Sequence, residues 1–563
     1  MPSLVQDSAH AVASGSINVE EHFNNWPNEK GFDPEYEQRE PIELVVIGNI
    51  PSYATGTLYR TGPGKSQVES EGGQLYQLSH WFDGFSQTHR FQIISDDPNV
   101  PPRVLYNSRF STDALIEYVR KTGSKGTLGF GQKRDPCKTL FNKTQAEFEP
   151  PQGPSGVNVG VTLSVNMPGL DMKQTVSQGE RLTSSKRINS LYAKTDYNIF
   201  KKLDPETLEP IGLASQADLH PDLTGNMAGS HARSDPITGD IFNYNLSIGS
   251  TCTYRVFHVS ASTGKTSILA AFTGIPAYIH SLLITEAYVL LCVWNAHINI
   301  DAVISKSFKE SIMPTNASEP AVWYVIDRKH DRGLVATYES PAFFCFHTIN
   351  AWQEVSKEDP TKTDIIANLV RVNKSDFIDV ALYENLRSSN PNAKKLAESL
   401  GDDMKSTITQ FRLPQIPSTP TTDIMKASVE WSACRAFSPE LPTMNPKFVT
   451  RRHRFTYAIS SRGESVPSDG LVKFDSATQE TQLWAHHGHS PSEPIFVPNP
   501  QGSDEDDGVL LSVVLDCFQG HSYLLCLDAR DLTELGRANV KGAVGFGFHG
   551  QHVPNVGVPT GDY

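Results

Sequence analysis

Four histidines stand where a metal ion could be held: His231 in "GSHARSDP", His280 in "AYIHSLLITEAY", His347 in "FFCFHTINAW" and His549 in "GFGFHGQHVP". A single histidine inside an apolar run, as His347 is, more often satisfies a hydrogen bond in the core than points at a ligand. Spacing shifts that balance. Segments that read as hairpins turn at Asp204, Ser260, Asp327, Asp475 and Asp528. The next ionisable residue in an apolar or Gly-Pro setting is then His231, His280, His347, Glu493 and His549, at offsets of 27, 20, 20, 18 and 21 residues. A group that recurs at one relative position of a repeat is a group the repeats can bring together. Four imidazoles brought together make a metal site.

The elements that would position them are strands. "AYVLLCVW", "AVWYVID", "GVLLSVVLD" and "SYLLCLD" are short, rich in β-branched and aromatic residues, and bounded by turn formers. "IFKKLDPETLEP", "YRVFHVSASTGKTS", "WYVIDRKHDRGLVA", "LVKFDSATQETQLW" and "YLLCLDARDLTELG" each run from an apolar strand through an Asp or Ser turn into another strand, as hairpins do. A β-propeller repeats one such sheet per blade, and equivalent positions of successive blades meet at its axis. The expectation is an all-β propeller, with residues 1–20 a disordered tail and 21–563 one domain. Residues 150–186, rich in Pro, Gly and Ser, read as a long connection or insert; residues 382–410 read as polar and partly helical.

Composition narrows the function. The chain of 563 residues is 38% hydrophobic with a net charge of −14, which argues against a general affinity for nucleic acid, since phosphate binding needs an excess of Lys and Arg. Its seven cysteines form no CxxC pair, as expected of free thiols in a reducing compartment. The first residues lack a signal-peptide pattern, and no run of about 18 apolar residues occurs. The sequence therefore predicts a cytoplasmic protein.

With "SHWFDGF" at 79–85, "PSEPIFVP" at 491–498, "DEDDGVLLSVV" at 504–514 and the four histidine settings, the chain resembles the carotenoid cleavage oxygenases from about residue 40 to 556. The resemblance implies a seven-bladed β-propeller with a helical and loop dome over an axis that bears ferrous iron, Fe(2+). His231, His280, His347 and His549 would be its catalytic metal ligands. Four neutral imidazoles would leave the ion its full charge and room for O2, and carboxylates behind them would fix the ring tautomers. The resemblance places Glu440, Glu493 and Asp196 in that role. Asp196 stands where relatives often carry Glu, so its shorter arm is expected to need a water or a backbone shift.

The implied reaction is cleavage of a C=C double bond in an apolar polyene by an iron dioxygenase. "HFNNWPNEKGFDPEYEQREPIEL" and "LYRTGPG" at 58–64 are most similar to the fungal branch that cleaves torulene to an apo-carotenal. Cleavage of β-carotene to retinal, cleavage of a stilbene such as resveratrol, and a non-catalytic propeller scaffold stay open as alternatives; a stilbene would need polar groups to grip its phenol. Segment 109–144 mixes apolar residues with eight Lys or Arg, suited to peripheral contact with a membrane surface or, equally, to a solvated helix and loop. His80 and His89 are expected to be structural, and His549 is preferred to the nearby His552 as the fourth ligand, since "FHG" matches the family motif and follows an apolar strand. Phe343, Phe344 and Phe346 read as core more readily than as a substrate wall.

Overall fold

The computed structural model describes residues 18–95, 97, 100–126, 129–132, 151–170, 188–555 and 561–562. Among the described residues, seven sheets of four to six strands, antiparallel except where Ile424–Lys426 runs parallel to Leu334–Ser340, form a seven-bladed β-propeller, with a two-stranded ribbon apart from them. All five expected hairpins form. Phe200–Leu203 returns as Pro210–Ala214, Thr253–Val259 as Thr266–Thr273, Ala321–Asp327 as Leu334–Ser340, Gly470–Asp475 as Glu480–Trp484, and His521–Asp528 as Glu534–Asn539. Their turns are built by the residues named from sequence. Asp204 Oδ1, for example, accepts the backbone N–H groups of Glu206 and Thr207 at 2.9 and 2.8 Å, so a local carboxylate does what a longer loop would otherwise have to do.

Two strand exchanges close the ring. His549–Pro554, near the C-terminus, pairs with Gly56–Lys65 in the first blade, while Val45–Gly48, near the N-terminus, pairs with Glu534–Asn539 in the last. Around the axis the innermost strands touch their neighbours: Leu283–Ile284 against Phe344–Val355, Phe344–Val355 against Glu440–Thr443, and His549–Pro554 against both Ile495–Pro498 and Thr162–Val165.

Between blades, large side chains supply the apolar burial that holds the ring. Trp323 and Phe343 are both 0% exposed and pack on Phe411 with ring centroids 5.1 and 5.2 Å apart. Truncating a phenylalanine so placed costs about 3–5 kcal/mol, because both its transfer energy and the cavity left behind count against the fold.

Two sequence expectations are corrected here. Residues 150–186 are not merely a connection: Thr162–Val165 is the innermost strand of a blade, paired to Leu191–Lys194. In segment 109–144 the helix Asp113–Thr122 turns Leu115, Ile116 and Val119 into the protein core, and residues 127–128 and 133–144 lie outside the described residues. Of the tail, residues 1–17 lie outside the described residues, but Val19–Glu21 forms a 3-10 turn. Residues 382–410 contain the expected helical pieces, Tyr383–Leu386 and Pro391–Ser399, before the strand Thr407–Ile416 begins. With Phe308–Ser311 they contribute the dome: Phe308, Leu386 and Leu400 line a cavity whose floor is the inner end of the blades. No helix among the described residues is long and apolar enough to cross a membrane.

Candidate metal centre

Each histidine is delivered by a local break in regular strand structure. His231 falls between the two-residue strands Met227–Ala228 and Arg233–Ser234, and its N–H donates to the carbonyl of His280 at 3.1 Å, which ties two neighbouring blades together. His280 precedes Leu283–Ile284. His347 sits on Phe344–Val355 where the register slips between Cys345 and Thr348; such a bulge re-aims a side chain that would otherwise follow the pleat. His549 opens the closing strand, opposite Thr61.

The four rings meet. Their candidate donor atoms all lie within 4.8 Å of one another, with Nε2 of His549 3.0 Å from that of His231 and 3.2 Å from that of His347. Nitrogen lone pairs facing each other so closely repel unless a proton or a cation lies between them. Protonation is disfavoured: burial, and then the neighbouring imidazoles, hold His231 and His549 well below the ordinary histidine range. Neutral imidazoles are what a metal ion requires of its ligands. Donor type, neutrality and spacing therefore fit a metal ion bound by nitrogen alone.

Carboxylates stand behind three of the rings. His280 Nδ1 meets Asp196 Oδ1 at 2.8 Å, His347 Nδ1 meets Glu440 Oε2 at 2.6 Å, and His549 Nδ1 meets Glu493 Oε1 at 2.7 Å. Each takes the ring N–H, which leaves Nε2 with its lone pair toward the centre. All seven residues named from the sequence thus come together. Asp196 reaches His280 directly in spite of its shorter arm, so the contact needs no bridging water. It comes from the loop after Leu191–Lys194, where its carbonyl accepts the N–H of Ala228 at 2.9 Å.

The three carboxylates differ in what holds them. Glu493 is gripped by Arg60 Nη1 at 2.7 Å and by the N–H of Gly550 at 2.8 Å; burial still pushes its carboxyl up to about 7. Glu440 is flanked by two residues with left-handed backbone, Ser438 at φ 38° and Leu441 at φ 50°. Such conformations cost of order 1–3 kcal/mol each, and here they aim Glu440 at His347. Asp196 Oδ2 accepts the hydroxyl of Tyr278 at 2.8 Å.

Arg60 and Tyr278 were not anticipated as parts of the site. Arg60 lies inside the quoted "LYRTGPG", and Tyr278 inside "AYIH", two residues before a ligand. His80, His89 and His552 each have a partner away from the four rings. His80 Nε2 meets the carbonyl of Ile378 at 3.0 Å, His89 Nδ1 the hydroxyl of Tyr106 at 3.0 Å, and His552 Nε2 the carbonyl of Ala54 at 3.1 Å.

His280, His347 and His549 open into a cavity of about 570 Å³ under the dome. Its wall is mostly aromatic and aliphatic, including Trp81, Phe82, Phe130, Tyr278 and Phe548. Phe346 belongs to this wall, with its ring centroid 5.8 Å from that of His280, whereas Phe343 and Phe344 are 0% exposed core. The reading of all three as plain core is thus right for two and wrong for the third. "SHWFDGF" also gains a role. Its Asp83 accepts the N–H groups of Phe130 and Gly131, both at 2.7 Å, and so shapes the wall that Trp81 and Phe82 share.

Comparison with known proteins agrees with this geometry. The family model described as retinal pigment epithelial membrane protein matches residues 31–554. A carotenoid dioxygenase of Neurospora crassa is 39% identical across 95% of this chain and 92% of its own. A torulene dioxygenase of Fusarium fujikuroi is 39% identical across 95% of both chains. The solved structure of a cobalt-substituted Synechocystis apocarotenoid oxygenase shares the fold, with a TM-score of 0.69 at 20% identity, covering 95% of this chain and 99% of that one. The chain belongs to the retinal pigment epithelial membrane protein family, the carotenoid cleavage oxygenases.

Proposed function

We propose that the protein is a dioxygenase that uses ferrous iron, held by His231, His280, His347 and His549, to cleave a C=C double bond of a carotenoid with O2. Torulene, cleaved to an apo-carotenal, is the first candidate, in keeping with the relative of that name. The observation that carries the reading is the apolar cavity that ends on the imidazole quartet. When bound, the iron supplies the activation of O2. The chain supplies the rest. Aromatic walls hold a hydrocarbon by dispersion along its length, the dome excludes water, and the position of the cavity over the quartet selects which bond is presented.

The charged pair in the wall, Asp83 and Lys125, is engaged within the protein. Asp83 is taken up by two backbone N–H groups, and Lys125 Nζ lies 3.4 Å from it. A carotenoid dissolves in lipid rather than water, so the reading includes work at a membrane surface, on the cytoplasmic side, with substrate taken up from the bilayer.

The test gives iron-loaded protein, in air, torulene or β-carotene in liposomes and a soluble stilbene in parallel. Torulene should yield an apo-carotenal. Stilbene cleavage with no carotenoid aldehyde would overturn the substrate while leaving the metal centre in place.

A further inference from the structure

We propose that Tyr278 is a positioning residue of the metal centre, whose hydroxyl holds the Asp196 carboxylate in the orientation that fixes His280. The inference rests on the reading of the four histidines as metal ligands.

Tyr278 and His280 stand two residues apart and grip the two oxygens of one carboxylate: His280 Nδ1 lies 2.8 Å from Oδ1, and Tyr278 OH 2.8 Å from Oδ2. The backbone between them is pinned. Tyr278 N donates to Ala296 O at 2.9 Å, Trp294 Nε1 donates to Tyr278 O at 2.9 Å, and the hydroxyl of Tyr244 donates to the carbonyl of Ile279. What can still turn is the Asp196 carboxylate about its own side-chain bonds. Glu493 is stopped from turning by Arg60 and Gly550, and Glu440 Oε2 accepts the N–H of Leu441 at 3.1 Å. For Asp196 that second anchor is the phenol. The phenol hydroxyl is the donor of this bond and the carboxylate oxygen its acceptor.

The ring does a separate job. It is 1% exposed, lines the cavity, and packs on Phe130 and Phe308 with centroids 5.6 and 5.7 Å away. Phenylalanine at this position keeps the wall and deletes only the anchor.

The experiment titrates apo full-length protein with Co(II) against a competing chelator, and follows the ligand-field absorption of the bound ion. Tyr278→Phe should weaken Co(II) binding by roughly 10-fold, the lower end of what loss of a partner behind a ligand costs, and shift the absorption bands. Its apo Tm should stay within about 2 °C of wild type, as loss of one buried hydrogen bond in a chain of this length implies. In an Asp196→Ala background the same substitution should have no further effect, because a residue that acts through another is silent once that partner is gone. Unchanged affinity, an equal loss in both backgrounds, or a Tyr278→Phe protein that fails to fold would each overturn the proposal. Wild-type protein that took up no Co(II) would instead remove the metal centre on which it rests.

Discussion

At the outer ends of the blades, Asp204, Asp327, Asp475 and Asp528 spend their carboxylates on the backbone of their own turns, two or three residues away. At the inner ends, Asp196, Glu440 and Glu493 reach histidines 84, 93 and 56 residues distant in sequence. The environments follow. The hydrogen bond from Arg454 and the N–H of Ala477 hold Asp475 down to about 2, whereas burial pushes Glu493 up to about 7. One repeat thus uses a carboxylate to close a turn at one end and to orient a ligand at the other. What decides its role is whether solvent and local N–H groups, or a buried ring, lie within reach.

Substitutions at the two ends should separate accordingly, and the largest effect belongs to the rings themselves. His347→Ala should leave the purified protein without its metal and without activity. A variant that retained both would return His347 to the role of a core histidine. A smaller effect is expected one layer out. Glu493→Gln keeps the shape, removes the charge behind His549, and should lower metal affinity or turnover by roughly 10- to 100-fold. If Asp475→Asn lowered them as much, the distinction between the two ends would fail.

The smallest effect is one of stability. Asp475→Asn should cost about 1 kcal/mol at neutral pH, the worth of a turn-closing hydrogen bond, with metal content unchanged. The carboxyl of Asp475 is depressed in the folded state, so its contribution is complete above the unfolded pKa and disappears as pH falls from about 4 to about 2. Urea midpoints of wild type and variant should therefore differ at pH 6, draw together below about pH 4 and converge as the pH approaches 2. A gap that widened on acidification would contradict the assignment.

The same contrast explains what could be read from the sequence. The outer turns were visible because their chemistry is local: an Asp followed within three residues by the amides it will bind. The histidine quartet was visible because a repeat displays its spacing even when its members are far apart. Glu440 and Asp196 carried no such signal and were placed only by family resemblance, since nothing near "PELPTMN" or "YAKTDYN" announces a partner on another blade. Arg60 and Tyr278 escaped because a buried arginine in a strand and a tyrosine beside apolar residues look like ordinary core.

Three other features were hidden for one cause. Thr162–Val165 was hidden by the Pro, Gly and Ser around it, and Asp113–Thr122 showed an apolar side without showing what covers it. Phe346 differs from Phe343 and Phe344 only in facing the cavity. Pattern reports that a surface must be buried; tertiary packing decides against what.

The central claim is that these four imidazoles hold one catalytic iron. Protein purified without oxygen, its metal counted and its iron edge recorded by X-ray absorption, tests it most directly. The account predicts about one iron per chain, surrounded by imidazole nitrogen with no sulfur ligand. Metal-free protein active on a carotenoid, or iron held by cysteine sulfur, would contradict it.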